Sequence, residues 1–442
     1  MAADGTARRR RLATALLISG IVALAFNLRP TITSLPPVFP ELASRLHLSS
    51  ASVTALATIP VVCFGVFSGL AARLSRQYGD EHTLFAALIL LAVGLAVRGI
   101  FPSAALFPAT VVAAGAIAIM NVLLSGMIKR RMPERAGLVI GVYLLSLSAG
   151  SIIGSLISVP VYQASGGSAQ LALGLWALPA AVAVLAWLPQ LRHGKPVAAV
   201  RTVTPDPPAA VPARRAGRAA RGRAGRAARG RAVRSAGQAV RAAGGRAAAS
   251  GGHPVHRRVL AWQVATFMGL QSLTFYSTLS WLPTLFRTRG ASPAHAGVLI
   301  SVMSLGGLPT ALLIPVLAHR AADQRRLVIP TVLLSGIGIG AALFAPLSSA
   351  MVWMVMLGLA QGSALGLAIF FTMARAATPA IAASLSALAQ SAGYLLASTG
   401  PLLVGFLHSA TASWRVPVFL LLGFTMVELI AGYLAGRARI IE

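Results

Sequence analysis

The stretch LATALLISGIVALAFNLRPTITSLPPVFP, Leu12 to Pro40, decides the fold. From Leu12 to Phe26 it carries no charge. With the apolar residues that follow it is long enough to cross a bilayer, which takes about 20 residues. Asn27-Leu28-Arg29-Pro30 interrupts it more than halfway along, with Pro36, Pro37 and Pro40 close behind. An arginine inside the hydrocarbon costs roughly 2.5–3.5 kcal/mol on insertion scales, so it faces a cavity or a partner. Pro30 removes a backbone donor and frees carbonyls beside the arginine. The stretch therefore reads as a membrane helix gated at a water-accessible site. The competing reading places Arg29 near the outer rim, its head reaching the lipid headgroups.

Working outward, the chain has 442 residues, of which 56% are hydrophobic and 11% charged. Soluble domains carry about 25% charged residues, so this is a polytopic membrane protein. Apolar runs follow the first at about 51–74, 83–101, 104–128, 136–160 and 168–189, and resume at about 259–286, 294–318, 327–346, 350–374, 380–407 and 414–436. The expected organisation is an N-terminal basic tail (1–11), a six-helix bundle (12–189), a linker (190–258), a second six-helix bundle (259–436) and a short tail (437–442). The Arg8 to Arg11 cluster resembles the start of a signal peptide, but no small-residue cleavage site follows, so the first helix is expected to be retained. Cys63, the single cysteine, lies in an apolar run and cannot form an internal disulfide.

The formal charge of +29 would suggest nucleic acid in a soluble chain, but its placement argues otherwise. Counting spans from an inner N-terminus puts Arg8 to Arg11, Arg73, Arg76, Lys129 to Arg131, Arg135, Arg320, Arg325, Arg326, Arg375, Arg437 and Arg439 on one side, with the linker. The other side receives Arg45, Arg287, Arg289 and Arg415. The positive-inside rule then makes both termini cytoplasmic, in a plasma membrane. The linker runs through near-repetitive Arg-Ala-Gly from Arg214 to Arg246. It cannot bury enough apolar surface to fold and reads as a solvated tether. It would feel an attraction to anionic lipid of about 1 kcal/mol per basic residue near the surface. No aromatic residues or folded motif accompany its arginines, which leaves a nucleic-acid role unsupported.

The halves echo each other. Ser34-Leu35-Pro36-Pro37-Val38-Phe39 ends the first helix and Trp281-Leu282-Pro283-Thr284-Leu285-Phe286 the seventh. Leu48-Ser49-Ser50-Ala51 likewise matches Ala291-Ser292-Pro293-Ala294. A parallel six-plus-six repeat is a transporter signature, with the site between the halves near the midplane. Polar residues at mid-helix depth are the candidates: Asn27, Arg29, Asn121, Tyr143, Gln271, Tyr276, Gln361, Gln390 and Tyr394. Each amide among them also has a plainer reading as an interhelical tie worth about 0.6 kcal/mol. Gly137, Gly141, Gly150 and Gly154, with Ser146, Ser148 and Ser151, make a small-residue face suited to close packing, or to sliding as the halves rock. No pattern of His, Cys, Asp or Glu suggests a metal, and no carboxylate pair supports acid–base catalysis. Glu428 is the one acid within a span and is expected to face a neighbouring helix or the lipid boundary. With a buried arginine and no nearby acid in sequence, the substrate itself is expected to bring the negative charge.

Gly69-Leu70-Ala71-Ala72-Arg73-Leu74-Ser75-Arg76-Gln77-Tyr78-Gly79 resembles the loop motif of the major facilitator superfamily, without the Asp that the motif has before its basic residue. Four further blocks resemble one branch of it, the cyanate/2-nitroimidazole transporter family. They are Asn27-Leu28-Arg29-Pro30, Asn121-Val122-Leu123-Leu124, Met268-Gly269-Leu270-Gln271-Ser272-Leu273 with Phe275-Tyr276, and Ala389-Gln390-Ser391-Ala392-Gly393-Tyr394 followed by Gly400-Pro401. Two departures are the arginine-rich linker and Ser125, where that family often has Pro. The resemblance implies an all-α integral membrane protein of twelve helices in two pseudo-symmetric bundles. It implies a secondary transporter, not an enzyme, that moves a small anion or small polar heteroaromatic compound by alternating access, with no cofactor. Arg29 would hold negative charge, the amides would direct hydrogen bonds, and Tyr276 and Tyr394 would wall the site. Export of a drug-like or toxic compound is the alternative. An integral-membrane enzyme acting on a lipid-linked substrate is a distant one, since the outer loops are short and nearly acid-free.

Overall fold

The computed structural model describes residues 2–132, 135–191 and 255–441, so nearly all of the linker lies outside the described residues. The described chain is helical, with one parallel bridge, Ala376 to Ile441, and no strand. The first span comprises α1 (Ala2–Asn27) and, past a break, two short helices, Pro30–Thr33 and Phe39–Arg45. Then come α2 (Ser50–Tyr78), α3 (Asp80–Ile100), α4 (Leu106–Arg131), α5 (Ala136–Ala164) and α6 (Ala177–Leu191), which is preceded by the turn Ala169–Gly174. The second half holds α7 (Val259–Thr288), α8 (Pro293–Arg320), α9 (Arg325–Phe344), α10 (Ala350–Ala374), α11 (Pro379–Thr411) and α12 (Arg415–Ala435).

Eleven of these spans are long and apolar enough to cross a bilayer. The twelfth, α7, has the length, at 30 residues, but its Ser, Thr and Gln side chains dilute its apolar content. It is also the helix that faces protein most completely, with nearly everything from Val264 to Phe286 buried. From Ser272 to Ser280 its hydroxyls are all buried against protein.

Matching turns in the two halves use the same start signal. Ser49 caps α2 by accepting from the Ser52 N–H at 3.2 Å, and Ser292 caps α8 by accepting from the His295 N–H at 3.2 Å. A side-chain oxygen here replaces a missing intrahelical partner. The repeat extends to packing. In the first half α1 packs on α5 and α6, α2 on α4, and α3 on α4 and α6. In the second half α7 packs on α11 and α12, α8 on α10, and α9 on α10 and α12. Adding six to each helix number converts one set into the other. The halves meet along α2–α11 and α5–α8, which the same operation exchanges.

The meeting is one-sided. Hydrogen bonds that cross between halves among the described residues include Ser151–Ser304 (3.1 Å), Ser301 to the Ile152 carbonyl (3.1 Å) and the Glu41–Arg287 ion pair (2.7 Å), and Arg29 also bonds to the Tyr276 side chain at mid-membrane. All lie from mid-membrane toward the face away from the termini, where Phe39 and Trp281 also pack at 6.4 Å. At the termini face each half is tied within itself. Asp80 and Glu81, opening α3, pair with Arg130 and Arg131 at the end of α4, and Ser75 donates to Asp80. The acid missing from the loop motif is thus supplied a few residues later, from the next helix. In the second half Arg375 donates to the Ala435 and Gly436 carbonyls, at 2.8 and 3.2 Å, closing the end of α12.

Candidate functional site

The site begins at the break. Pro30 has no N–H to offer the Phe26 carbonyl, so the helix ends at Asn27 and Leu28 turns back to Ala25 (3.2 Å). Arg29, at φ −115° and ψ −39°, caps the next short helix, and its carbonyl accepts from Ile32 and Thr33, both at 3.0 Å. The Asn27 amide donates to the Ala23 carbonyl at 2.8 Å and the Pro179 carbonyl at 3.0 Å, fastening the break to α6. The small-residue face of α5 lies on its other side. A Cβ at Gly150 would stand 2.1 Å from the Phe26 carbonyl oxygen, and one at Gly154 would stand 2.4 Å from the Thr33 hydroxyl. Only glycine permits that approach. Ser155 donates to the Thr33 carbonyl at 3.2 Å.

So held, Arg29 lines a cavity of about 110 Å³ between the halves. Ser148 and Ser151 of α5, Gln271, Ser272, Phe275 and Tyr276 of α7, Ser304 of α8, Gln361 of α10 and Tyr394 of α11 share its wall. Leu144, Ala311 and Leu365 extend it toward the termini face. The Arg29 guanidinium lies 5.5 Å from the Phe275 ring centroid. Its Nη1 is buried without a hydrogen-bond partner, and the four ion pairs among the described residues all use other arginines. Tyr276, Tyr394, Phe64 and Phe275 form a connected cluster with centroids 5.1–6.4 Å apart. The arrangement can hold one negative or electron-rich group against a cation, beside flat aromatic walls.

Of the nine sequence candidates, Arg29, Gln271, Tyr276, Gln361 and Tyr394 line the cavity. The other four do not, and have partners elsewhere. Asn27 ties the break to α6. Asn121 accepts from the Tyr143 hydroxyl at 3.4 Å, joining α4 to α5. Gln390 donates to Ser386 within α11 at 3.0 Å. Sequence reasoning did not single out Phe64, Ser272, Phe275 or Ser304. Phe275 adjoins Tyr276 in a quoted block, but an aromatic residue in an apolar helix carries no signal of its own. Arg98 of α3 was also passed over. It is fully buried outside the cavity; Nη2 donates to the Leu173 carbonyl at 3.5 Å, and Nε and Nη1 have no hydrogen-bond partner.

This two-bundle repeat around a midplane cavity, mainly apolar with a few polar side chains in its wall, is matched in sequence. A profile of the Major Facilitator Superfamily aligns with residues 15–401. The chain belongs to that superfamily. It is 34% identical over 426 residues to the uncharacterized transporter YycB of Bacillus subtilis, covering 96% of this chain and 94% of that one. It is 33% identical over 422 residues to the 2-nitroimidazole transporter of Escherichia coli, covering 96% and 95%. It is 27% identical over 414 residues to the Escherichia coli cyanate transport protein CynX, covering 92% and 95%. Among solved structures, a bacterial homologue of the lysosomal transporter Spinster superposes with a TM-score of 0.68 at 15% identity, covering 96% of this chain and 97% of that one, which shows a shared fold. As a superfamily member the chain is a multi-pass membrane transporter of a small molecule, not an enzyme.

Proposed function

We propose that the chain carries a small anion or small polar heteroaromatic solute, cyanate-like or nitroimidazole-like, through the central cavity by alternating access, with Arg29 as the charge anchor. The carrying observation is the guanidinium itself: Arg29 lines the cavity, its Nη1 is buried without a hydrogen-bond partner, and no acid among the described residues is paired with it. A buried cation left unpaired is costly, and a solute that brings the acceptor relieves that cost. The names of two relatives, one a 2-nitroimidazole transporter and one a cyanate transport protein, support the same solute class.

The positive-inside distribution argues that the termini are cytoplasmic, so that the contacts between halves close the outer face and the cavity opens inward. Rocking the halves about α2–α11 and α5–α8 would then expose the same site to the outside. The arginine-rich linker acts as a tether, with attraction to the anionic leaflet. Thermal unfolding of the purified chain with cyanate, 2-nitroimidazole and other small anions tests the reading. A ligand that binds the folded form raises the melting temperature, and saturation at a hundred times Kd adds about 2.7 kcal/mol. No shift with any of them would contradict it.

A further inference from the structure

A second residue of the cavity wall has an unpartnered polar atom, and it lies on the other half of the molecule. Gln361 of α10 is 5% exposed and lines the cavity. Its Nε2 donates to Thr274 Oγ1 at 3.4 Å and to Ser335 Oγ at 3.3 Å. The Thr274 hydroxyl proton is committed to the Leu270 and Gln271 carbonyls, at 3.2 and 3.0 Å, so toward Gln361 that oxygen can only accept. The Thr274 contact favours the amide orientation with its nitrogen toward Thr274 and its carbonyl turned away. The carbonyl Oε1 is left buried without a donor. Two residues of the cavity wall therefore have an unpartnered buried atom: a donor, Arg29 Nη1, on the first half and an acceptor, Gln361 Oε1, on the second.

We propose that the site recognises a flat ring with a negative or acceptor group at one edge and an N–H or O–H donor at another, so that one solute bridges Arg29 and Gln361. This rests on the reading of Arg29 as anchor. Phe275, Tyr276 and Tyr394 give such a ring flat surfaces to lie on. An anion of cyanate's size has no donor and satisfies Arg29 alone. A ring that engages both poles ties the two halves together, which is what an occluded state needs.

The test is calorimetric titration of the full chain with 2-nitroimidazole and with 1-methyl-2-nitroimidazole, in mildly acidic buffer where the first keeps its N–H. The parent ring should bind about tenfold or more tightly than the methylated one, the cost of leaving Gln361 unpaired. Gln361→Met should bring that ratio close to one by weakening the parent ring. A preference that survives in Gln361→Met would mean the methyl group merely clashes, and would overturn the proposal. Equal affinities in the unmodified protein would overturn it too, without any variant having to fold. Arg29→Met separates the two readings. If it weakens both rings while the unmodified protein does not discriminate between them, the bridging proposal alone falls. If it binds both as the unmodified protein does, the anchor reading falls. No binding of either ring removes the bridging proposal and leaves the anchor reading to the small anions.

Discussion

At the scale of single residues, a polar side chain deep in an apolar run is a strong but incomplete signal. Arg29, Gln271, Gln361, Tyr276 and Tyr394 were legible as cavity residues because hydrocarbon gives such groups few other reasons to be there. Asn27, Asn121, Tyr143 and Gln390 gave the same signal and join helices or lie within one, because depth in a run does not say which way a side chain faces. Glu428 follows the second pattern. It is 1% exposed on α12, set against Thr274 of α7, and does not line the cavity. Glu428→Gln keeps its shape and a hydrogen-bonding amide, so reconstituted uptake should persist. A folded variant without uptake would make Glu428 part of the transport machinery.

At the scale of elements, the organising feature is the break in the first span and the helix that accommodates it. The break was readable from Pro30, since a missing donor has one local consequence. The role of the α5 glycines was not readable, because a small-residue face says only that something comes close. That something is the kinked segment itself: the Phe26 carbonyl, Pro30 and the Thr33 hydroxyl. Gly150→Ala should therefore lower stability by about 1–3 kcal/mol, the usual cost of overpacking, seen as a lower melting temperature in detergent. Gly141, on the same helix, has nothing within 4 Å of its Cβ position, so Gly141→Ala should leave stability unchanged or raise it. Equal effects at the two positions would show that the break does not depend on this contact. In α7, read from sequence as one more apolar run, the hydropathy is lower than in the other spans. Its hydroxyls lower its hydropathy, yet its length and the echo of its end in the first span place it as the counterpart of α1.

At the scale of the whole molecule, two copies of one packing scheme share a cavity and touch on one face. The repeat was legible from matching turns, but which face is closed was not, because that depends on contacts between residues far apart in sequence. Glu41–Arg287 is such a contact, and both partners are partly exposed, so the pair is worth no more than about 1 kcal/mol. Arg287→Gln should raise the population open at that face by up to about fivefold. Labelling a cysteine at Thr54, in a Cys63→Ser background, with a reagent that cannot cross the bilayer reads that population; unchanged labelling would mean the ion pair does not hold the face shut. Replacing residues 205–250, which lie outside the described residues, with an uncharged Gly/Ser segment of equal length should leave uptake nearly intact, and its loss in properly inserted protein would give the linker a role beyond tethering. The central claim is that the molecule alternates around a solute anchored at Arg29, and substrate affinity in reconstituted vesicles for the unmodified protein, Arg29→Lys and Arg29→Met tests it most directly. Lysine keeps the charge and loses the planar fork, so it should weaken apparent affinity in part. Methionine should lower affinity by about two to four powers of ten in a protein that still folds, as expected for loss of a buried charge pair. Equal affinities across the three would contradict the account.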